Sequence, residues 1–431
     1  MKSSARERLD RALSRIADPK GEGARACLTL YADSARAAAD AADARARAGQ
    51  SLCSLDGAIV SIKDLFDIKG EVTRAGSKVL AEEGKPAAAD APVVTRLRQA
   101  GAVIVAKTNM SEFAFSGVGA NPHFGTPGNP FDRARAPGGS TSGGAVAVAD
   151  GMCEIAIGSD TGGSTRIPAA LCGIVGWKPS RQRVPTEGAF PLSSTLDSIG
   201  PMAKSVAECA AADAVMARDK PQPLEGASLA RLRLGVVQGM PFEGVDETVA
   251  AAWLGAVAGL DKAGARLSDE TIALIPEMIA VNAKGGFAPP EAYAIHRERL
   301  LRRGNDIDPN IRARIERGGA VTKATLIEMG LERARLIRAM DERMAQLDAL
   351  ILPTTPIIAP TLDEVATPQA FGHKNMLLLR NTAMANFFDL CAISLPLPRA
   401  KGQAVGLMVV ARNGQDTHLF RIAAAVERLF A

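Results

Sequence analysis

Residues 158–173 read GSDTGGSTRIPAALCG, and residues 136–151 read APGGSTSGGAVAVADG. Each stretch crowds glycines around a serine, Ser164 in the first and Ser140 in the second, so the backbone can take positions closed to other residues. A serine hydroxyl is a weak nucleophile until a base takes its proton. Four histidines are present, His123, His296, His373 and His418, and none lies in a motif that pairs it with either serine. The nucleophile elbow G-x-S-x-G fits neither cluster, which argues against a Ser-His-Asp triad. His123, inside the loop GANPHFGTPGNP, reads as structural.

A neutral lysine can replace histidine as the base. Lys63 is the candidate, because it lies in the strongly apolar segment GAIVSIKDLFD, where an inward-pointing ammonium would lack water. Desolvation penalises the charged form and lowers a lysine pKa from its ordinary value of about 10.4. The alternative is a charged Lys63 that snorkels out of the strand end and pairs with Asp64 or Asp67. The second cluster has its own bland alternatives, a flexible linker or a helix start capped by Ser142.

The elements that must position these groups follow from periodicity. GAIVSIKDLFD (57–67), AVIVAKTNM (102–110), EIAIGSD (154–160), GIVGWKPS (173–180) and LRLGVVQG (232–239) read as strands, as do ALILPTTP (349–356), ISLPL (393–397) and AVGLMVV (404–410). Helical patterns cover two segments within residues 1–50, then 93–102, 142–151, 206–217, most of 265–348 and the closing DTHLFRIAAAVERLF. Strands from both ends of the chain, with helices between them, predict an α/β fold built as one large domain. If a subdomain begins anywhere, the Pro-rich 218–225 stretch is the place.

Bulk properties narrow the function classes. With 47% hydrophobic and 23% charged residues the chain is neither disordered nor fibrous. A net charge of +4, scattered along the sequence, gives no basic face for nucleic acid. No signal-peptide pattern or membrane-length apolar run stands out, so a cytoplasmic address and no membrane partner are expected. Six cysteines lie far apart without a C-x-x-C pair, so reduced thiols are expected and a metal site is not.

Taken together, GAIVSIKDLFD, PGGSTSGGAVAVADG and AIGSDTGGSTRIPAALCGIVGWKPS resemble the amidase signature family, and the likeness continues through ALILPTTP and LLRNTAMANFFDLCAISLPL. It is thinnest from about 220 to 345, where the family varies and where helices of the substrate pocket are expected. The spacing fits as well, since Ser140 precedes Ser164 by 24 positions, as the family's bridging serine precedes its nucleophile. The resemblance implies a central twisted mixed β-sheet flanked by helices, no cofactor, and a small-molecule amide as substrate. It implies that Ser164 is the nucleophile, Ser140, after a cis peptide bond from Gly139, the proton bridge, and Lys63 the base. It further implies an oxyanion hole from the backbone N–H groups of Thr161, Gly162, Gly163 and Ser164. Arg166 reads as a structural partner of Asp160. Homodimers are common among such relatives, which leaves the oligomeric state open.

One local departure is GGSTSGG, where the usual family form GGSSGGS would put Ser and Gly at positions 141 and 142. Two rivals remain. The glutaminase-type subunit of a tRNA-dependent amidotransferase carries an aspartate for the glutamine amino group, and by an ungapped count this chain has Leu379 there. A non-enzymatic anion binder would use the glycine loops at a helix N-terminus, yet neither cluster has the lysine of G-x-x-x-x-G-K-[ST].

Overall fold

The segments IVSIK, VIVAKT and IAIGSD are rich in β-branched residues and form neighbouring strands buried on both faces. The computed structural model describes residues 3–220, 223–399 and 402–430. Among these residues eleven strands make one sheet: β1 (Cys27–Leu30), β2 (Ile59–Lys63), β3 (Val103–Thr108), β4 (Ile155–Asp160), β5 (Val175–Lys178), β6 (Ser198–Ala203), β7 (Arg233–Val237), β8 (Arg266–Glu270), β9 (Ala349–Pro353), β10 (Cys391–Pro396) and β11 (Gly406–Ala411). Their order is β1-β3-β2-β4-β6-β5-β10-β11-β9-β7-β8. The sheet is mixed. Strand β2 runs parallel to β3 and β4, and β7 runs parallel to β8 and β9, while the pairings from β4 across to β9 are antiparallel. The fold is therefore the single α/β domain with a large mixed sheet that the sequence led one to expect.

Period two sorts the side chains of β2. Val60 and Ile62 enter one core with Ile104, Ile155 and Ile157, whereas Ile59 enters another with Val103 and Val105. Burying each such aliphatic side chain contributes about 1.5–3 kcal/mol. Ser61 and Lys63 share the face of Ile59, which is covered by the helices Ala5–Ala17, Ala32–Arg47 and Ser142–Ala149. The last of these approaches unusually closely: a Cβ on Gly143 would lie 2.4 Å from the carbonyl oxygen of Ala26.

The closing helix Asp416–Phe430 buries Leu419, Phe420, Ile422, Ala423 and Val426, an apolar stripe of helical period, and Phe420 stacks on Trp177 with centroids 3.9 Å apart. Residues 274–343 are helical as expected, in the segments Leu274–Ala283, Ala288–Arg303, Pro309–Gly318 and Lys323–Arg343.

Three strands departed from expectation. The N-terminal fifty residues hold not only helices but the four-residue β1, which pairs antiparallel with β3. Strand β8 is polar along most of its length and reads as loop or helix by periodicity, yet it extends the sheet beside β7. Strand β6 contains Gly200 and Pro201 and still lies between β4 and β5. Proline is tolerated there because β5 pairs only with Met202 and Ala203, so the ladder on that side ends before Pro201. After the 218–225 stretch, of which Pro221 and Gln222 lie outside the described residues, β7, β8 and β9 continue the same sheet through β11.

All six cysteines are free thiols. Among the described residues no helix is long and apolar enough to cross a membrane.

Candidate active site

Lys63 is the last residue of β2 and has no solvent exposure. Its Nζ donates to Ser140 Oγ at 2.7 Å and to Ser159 Oγ at 2.9 Å. Burial lowers its pKa to about 7, with Asp197 and Asp160 pulling weakly the other way. The alternative of a snorkelling lysine is not what forms, since Asp64 is bound by Arg74 at 2.9 Å and Asp67 by the hydroxyl of Thr73. At near-neutral pH this amine is therefore a usable base.

Ser140 follows a cis Gly139–Ser140 peptide at the entry to helix Ser142–Ala149. Its carbonyl accepts from Ser111 N–H at 3.0 Å, and the next residue, Thr141, donates its N–H to Ser164 O at 3.3 Å. The two serine turns are thus laced together through main chain. Among the described residues no side-chain hydrogen bond joins the Ser140 and Ser164 hydroxyls, while Ser140 Oγ is held by Lys63. Ser142 does not cap the helix: Thr141 occupies that position, and Ser142 Oγ is buried without a partner.

Ser164 sits in the turn between β4 and helix Arg166–Cys172. Asp160 at the end of β4 organises this turn. Its Oδ1 accepts from Gly163 N–H at 2.8 Å, from Arg166 Nη2 at 2.9 Å and from Asn386 Nδ2 at 2.8 Å. Its Oδ2 accepts from Thr165 Oγ1 at 2.9 Å and Arg166 Nε at 3.0 Å. Burial alone would push this carboxyl up, but the Arg166 guanidinium, with Asn386 behind it, holds it well below the usual carboxylate range. Arg166 is fully buried, so it serves the turn rather than a substrate.

The Gly163 N–H is therefore committed to Asp160. Of the four donors expected for an oxyanion hole, Thr161, Gly162 and Ser164 keep N–H groups with no acceptor among the described residues, and Gly163 does not. Gly163 is needed for shape instead. Its φ is +132°, and a Cβ there would meet Thr382 Oγ1 at 2.1 Å.

Sequence reading did not single out Ser159 or Asp197. Ser159 is the second acceptor of Lys63. Asp197 accepts from Thr161 Oγ1 and from the Leu192 and Ser193 N–H groups, each of the latter at 3.0 Å, and burial pushes its carboxyl up to about 6. No local pattern marks either residue, because each matters through a contact made across the fold. The histidines stand apart from this chemistry. His123 faces Glu112 at 3.0 Å, His296 is buried against Phe113 with its pKa lowered to about 3 by burial, His373 is exposed and His418 half-buried.

A wall of the site comes from residues 115–117 and helix Pro368–Arg380. Gly139 N–H donates to Gly117 O at 2.8 Å, and Leu379 lies against both Gly117 and Gly162, 3.3 and 3.2 Å from where their Cβ atoms would be. Asn375, one turn earlier, accepts from Gly117 N–H at 2.7 Å through Oδ1.

A mixed α/β sheet carrying a buried lysine, two laced serine turns and free backbone donors defines a serine hydrolase without histidine. The chain matches the family model described as Amidase over residues 9–420, and it belongs to that family. It is 35% identical to 2-amino-5-chloromuconic acid deaminase of Comamonas testosteroni, over 92% of this chain and 86% of that protein. It is also 35% identical to a glutamyl-tRNA(Gln) amidotransferase subunit from Anaeromyxobacter dehalogenans (strain 2CP-C), over 99% of this chain and 93% of that one. Among solved structures, a crystal structure of an amidase superposes with a TM-score of 0.89 at 31% identity, covering 100% of this chain and 97% of the other. The peptide amidase of Stenotrophomonas maltophilia gives 0.82 at 25% identity, covering 100% and 94%.

Proposed function

We propose that this chain hydrolyses a carboxylic amide to a carboxylate and ammonia or an amine, through an acyl-enzyme on Ser164. Ser164 Oγ attacks the carbonyl carbon while its proton passes through Ser140 to neutral Lys63. A rotation of Ser164 about its Cα–Cβ bond brings its hydroxyl to Ser140 for this transfer. The developing oxyanion lies against the N–H groups of Thr161, Gly162 and Ser164. The C–N bond breaks as the nitrogen takes the proton back along the same relay. Water then attacks the ester with the roles reversed and releases the carboxylate.

The observation that carries this reading is the buried Lys63 amine at 2.7 Å from Ser140 Oγ, with burial bringing its pKa to about 7. An isolated buried ammonium is costly, and a neutral amine accepting a serine proton gives that burial a use. The apolar Leu379 beside Gly162 favours a stand-alone amidase over a glutaminase-type amidotransferase subunit, which must recognise an α-ammonium. An anion-binding protein has no need of a base.

The test is labelling with a fluorophosphonate together with a hydrolysis screen over acetamide, benzamide, anilides, malonamate and glutamine, read by ammonia or amine release. Ser164 is expected to be labelled and at least one amide turned over, and Ser164→Ala to abolish both. No labelling and no turnover would sink the reading, and exclusive glutaminase activity would move it to the amidotransferase.

A further inference from the structure

Buried guanidinium groups in this fold are paired, with one exception near the site. Arg166 is held by Asp160, Arg183 by Asp213 and Arg333 by Asp389. Arg314, on helix Pro309–Gly318, has neither an ion pair nor a hydrogen bond among the described residues, and its Nε is buried without an acceptor. It rests instead over the Phe115 ring, its Cζ 4.4 Å from the centroid.

Phe115 leads directly into Ser116 and Gly117, the segment that hydrogen-bonds Gly139 and packs with Leu379 against Gly162. Helix Pro309–Gly318 also packs on helix Pro368–Arg380, which supplies Leu379. On that wall Asn375 spends its Oδ1 on Gly117 and leaves Nδ2 buried with no acceptor. The nearby carboxylate of Glu112 is engaged by His123 and by the Asp308 N–H through Oε2, and it does not reach Arg314. A buried donor without an acceptor costs about 1–3 kcal/mol, more for a charged one, so two of them on one wall call for a ligand that supplies oxygen.

We propose that the substrate is an amide bearing a carboxylate, and that Arg314 receives this carboxylate on the wall formed by Phe115–Gly117 and helix Pro368–Arg380. This rests on the amidase reading above and names its substrate class. A guanidinium suits the role because its planar fork matches a carboxylate with two parallel hydrogen bonds. Burial and Arg317 lower the Arg314 pKa to about 10 with no acidic neighbour to offset them, so an incoming anion meets an uncompensated charge. Arg314 is half-buried, which leaves it accessible to a ligand.

The experiment compares malonamate, succinamate and glutaramate with their neutral isosteres propionamide, butyramide and valeramide. The wild type is expected to prefer at least one acid over its isostere by about 10–150-fold in kcat/KM, the range for a hydrogen bond to a charged group. Arg314→Gln should erase that preference through KM, with a loss on the neutral isostere about tenfold smaller or less, and Arg314→Lys should restore part of it. Equal turnover of acids and isosteres, or an Arg314→Gln enzyme slowed equally on both, would overturn the proposal.

Calorimetric binding of malonate, succinate and glutarate to Ser164→Ala, with and without Arg314→Gln, needs no turnover and separates the two readings. Arg314-dependent binding without fluorophosphonate labelling would leave the carboxylate site standing and remove the amidase. Labelling with binding that ignores Arg314, or with no binding at all, would do the reverse.

Discussion

The Gly163 N–H donates to Asp160 Oδ1 across 2.8 Å, and the same carboxylate grips the Arg166 guanidinium. The turn that presents Ser164 is therefore tethered at both ends by one buried ion pair. This arrangement makes the shape of the nucleophile turn depend on charges that never touch substrate.

Removing one partner of that pair should be severe. Arg166→Met leaves Asp160 buried and unpaired and is expected to cost about 3–5 kcal/mol in chemical denaturation. The double variant Asp160→Asn with Arg166→Met should cost clearly less than the two single losses added together, since no bare charge remains. Additive losses would show that the two side chains act independently.

Gly163→Ala tests the turn sterically. The new Cβ would sit at positive φ and 2.1 Å from Thr382 Oγ1, which itself donates to Gly162 O. The expected result is a stability loss of about 1–3 kcal/mol and a labelling rate at Ser164 reduced by at least about 10²-fold. Gly162→Ala meets only the mobile end of Leu379 at 3.2 Å and should be milder in melting temperature.

The pH profile follows from the sign of the Lys63 shift. The relay needs the neutral amine, and burial brings the pKa to about 7, so kcat/KM should rise through that region and level off at alkaline pH. Lys63→Ala should lower kcat by about 10²–10⁴-fold. A profile climbing toward pH 5, or near-wild-type turnover in the variant from pH 6 to 10, would exclude Lys63 as the base.

Stability carries the same signature. Between about pH 7 and about 10.4 the unfolded chain holds a proton on Lys63 that the folded chain lacks, so this residue makes stability fall as pH falls through that window. Lys63→Met removes the effect, at the cost of unpairing the Ser140 and Ser159 hydroxyls. Relative to wild type, Lys63→Met should therefore gain on the order of 4 kcal/mol between pH 10 and pH 7 in urea denaturation. A gap between variant and wild type that does not change with pH would mean that Lys63 is not buried neutral.

The reacting groups were legible because Lys63, Ser140 and Ser164 stand in distinctive local words with a distinctive spacing. Long apolar segments such as IVSIK and VIVAKT announced their strands for the same reason, since period and composition are local properties. Strand β6 was not legible, because Pro201 argues against a strand unless one knows that its β5 partner stops short. Asp197 and Ser159 were equally silent, being ordinary residues until folding brings them to Thr161 and Lys63.

The sequence by itself determined which hydroxyls and which amine could do chemistry, and that an α/β sheet would carry them, because residue type and periodicity are written along the chain. Only the tertiary structure decided that Lys63 is dry, that Gly163 spends its N–H on Asp160, and that Arg314 has no acidic partner. Those are matters of what lies within a few ångströms in space, and burial and pairing, not residue identity, set the charge state and the free valences of a polar group.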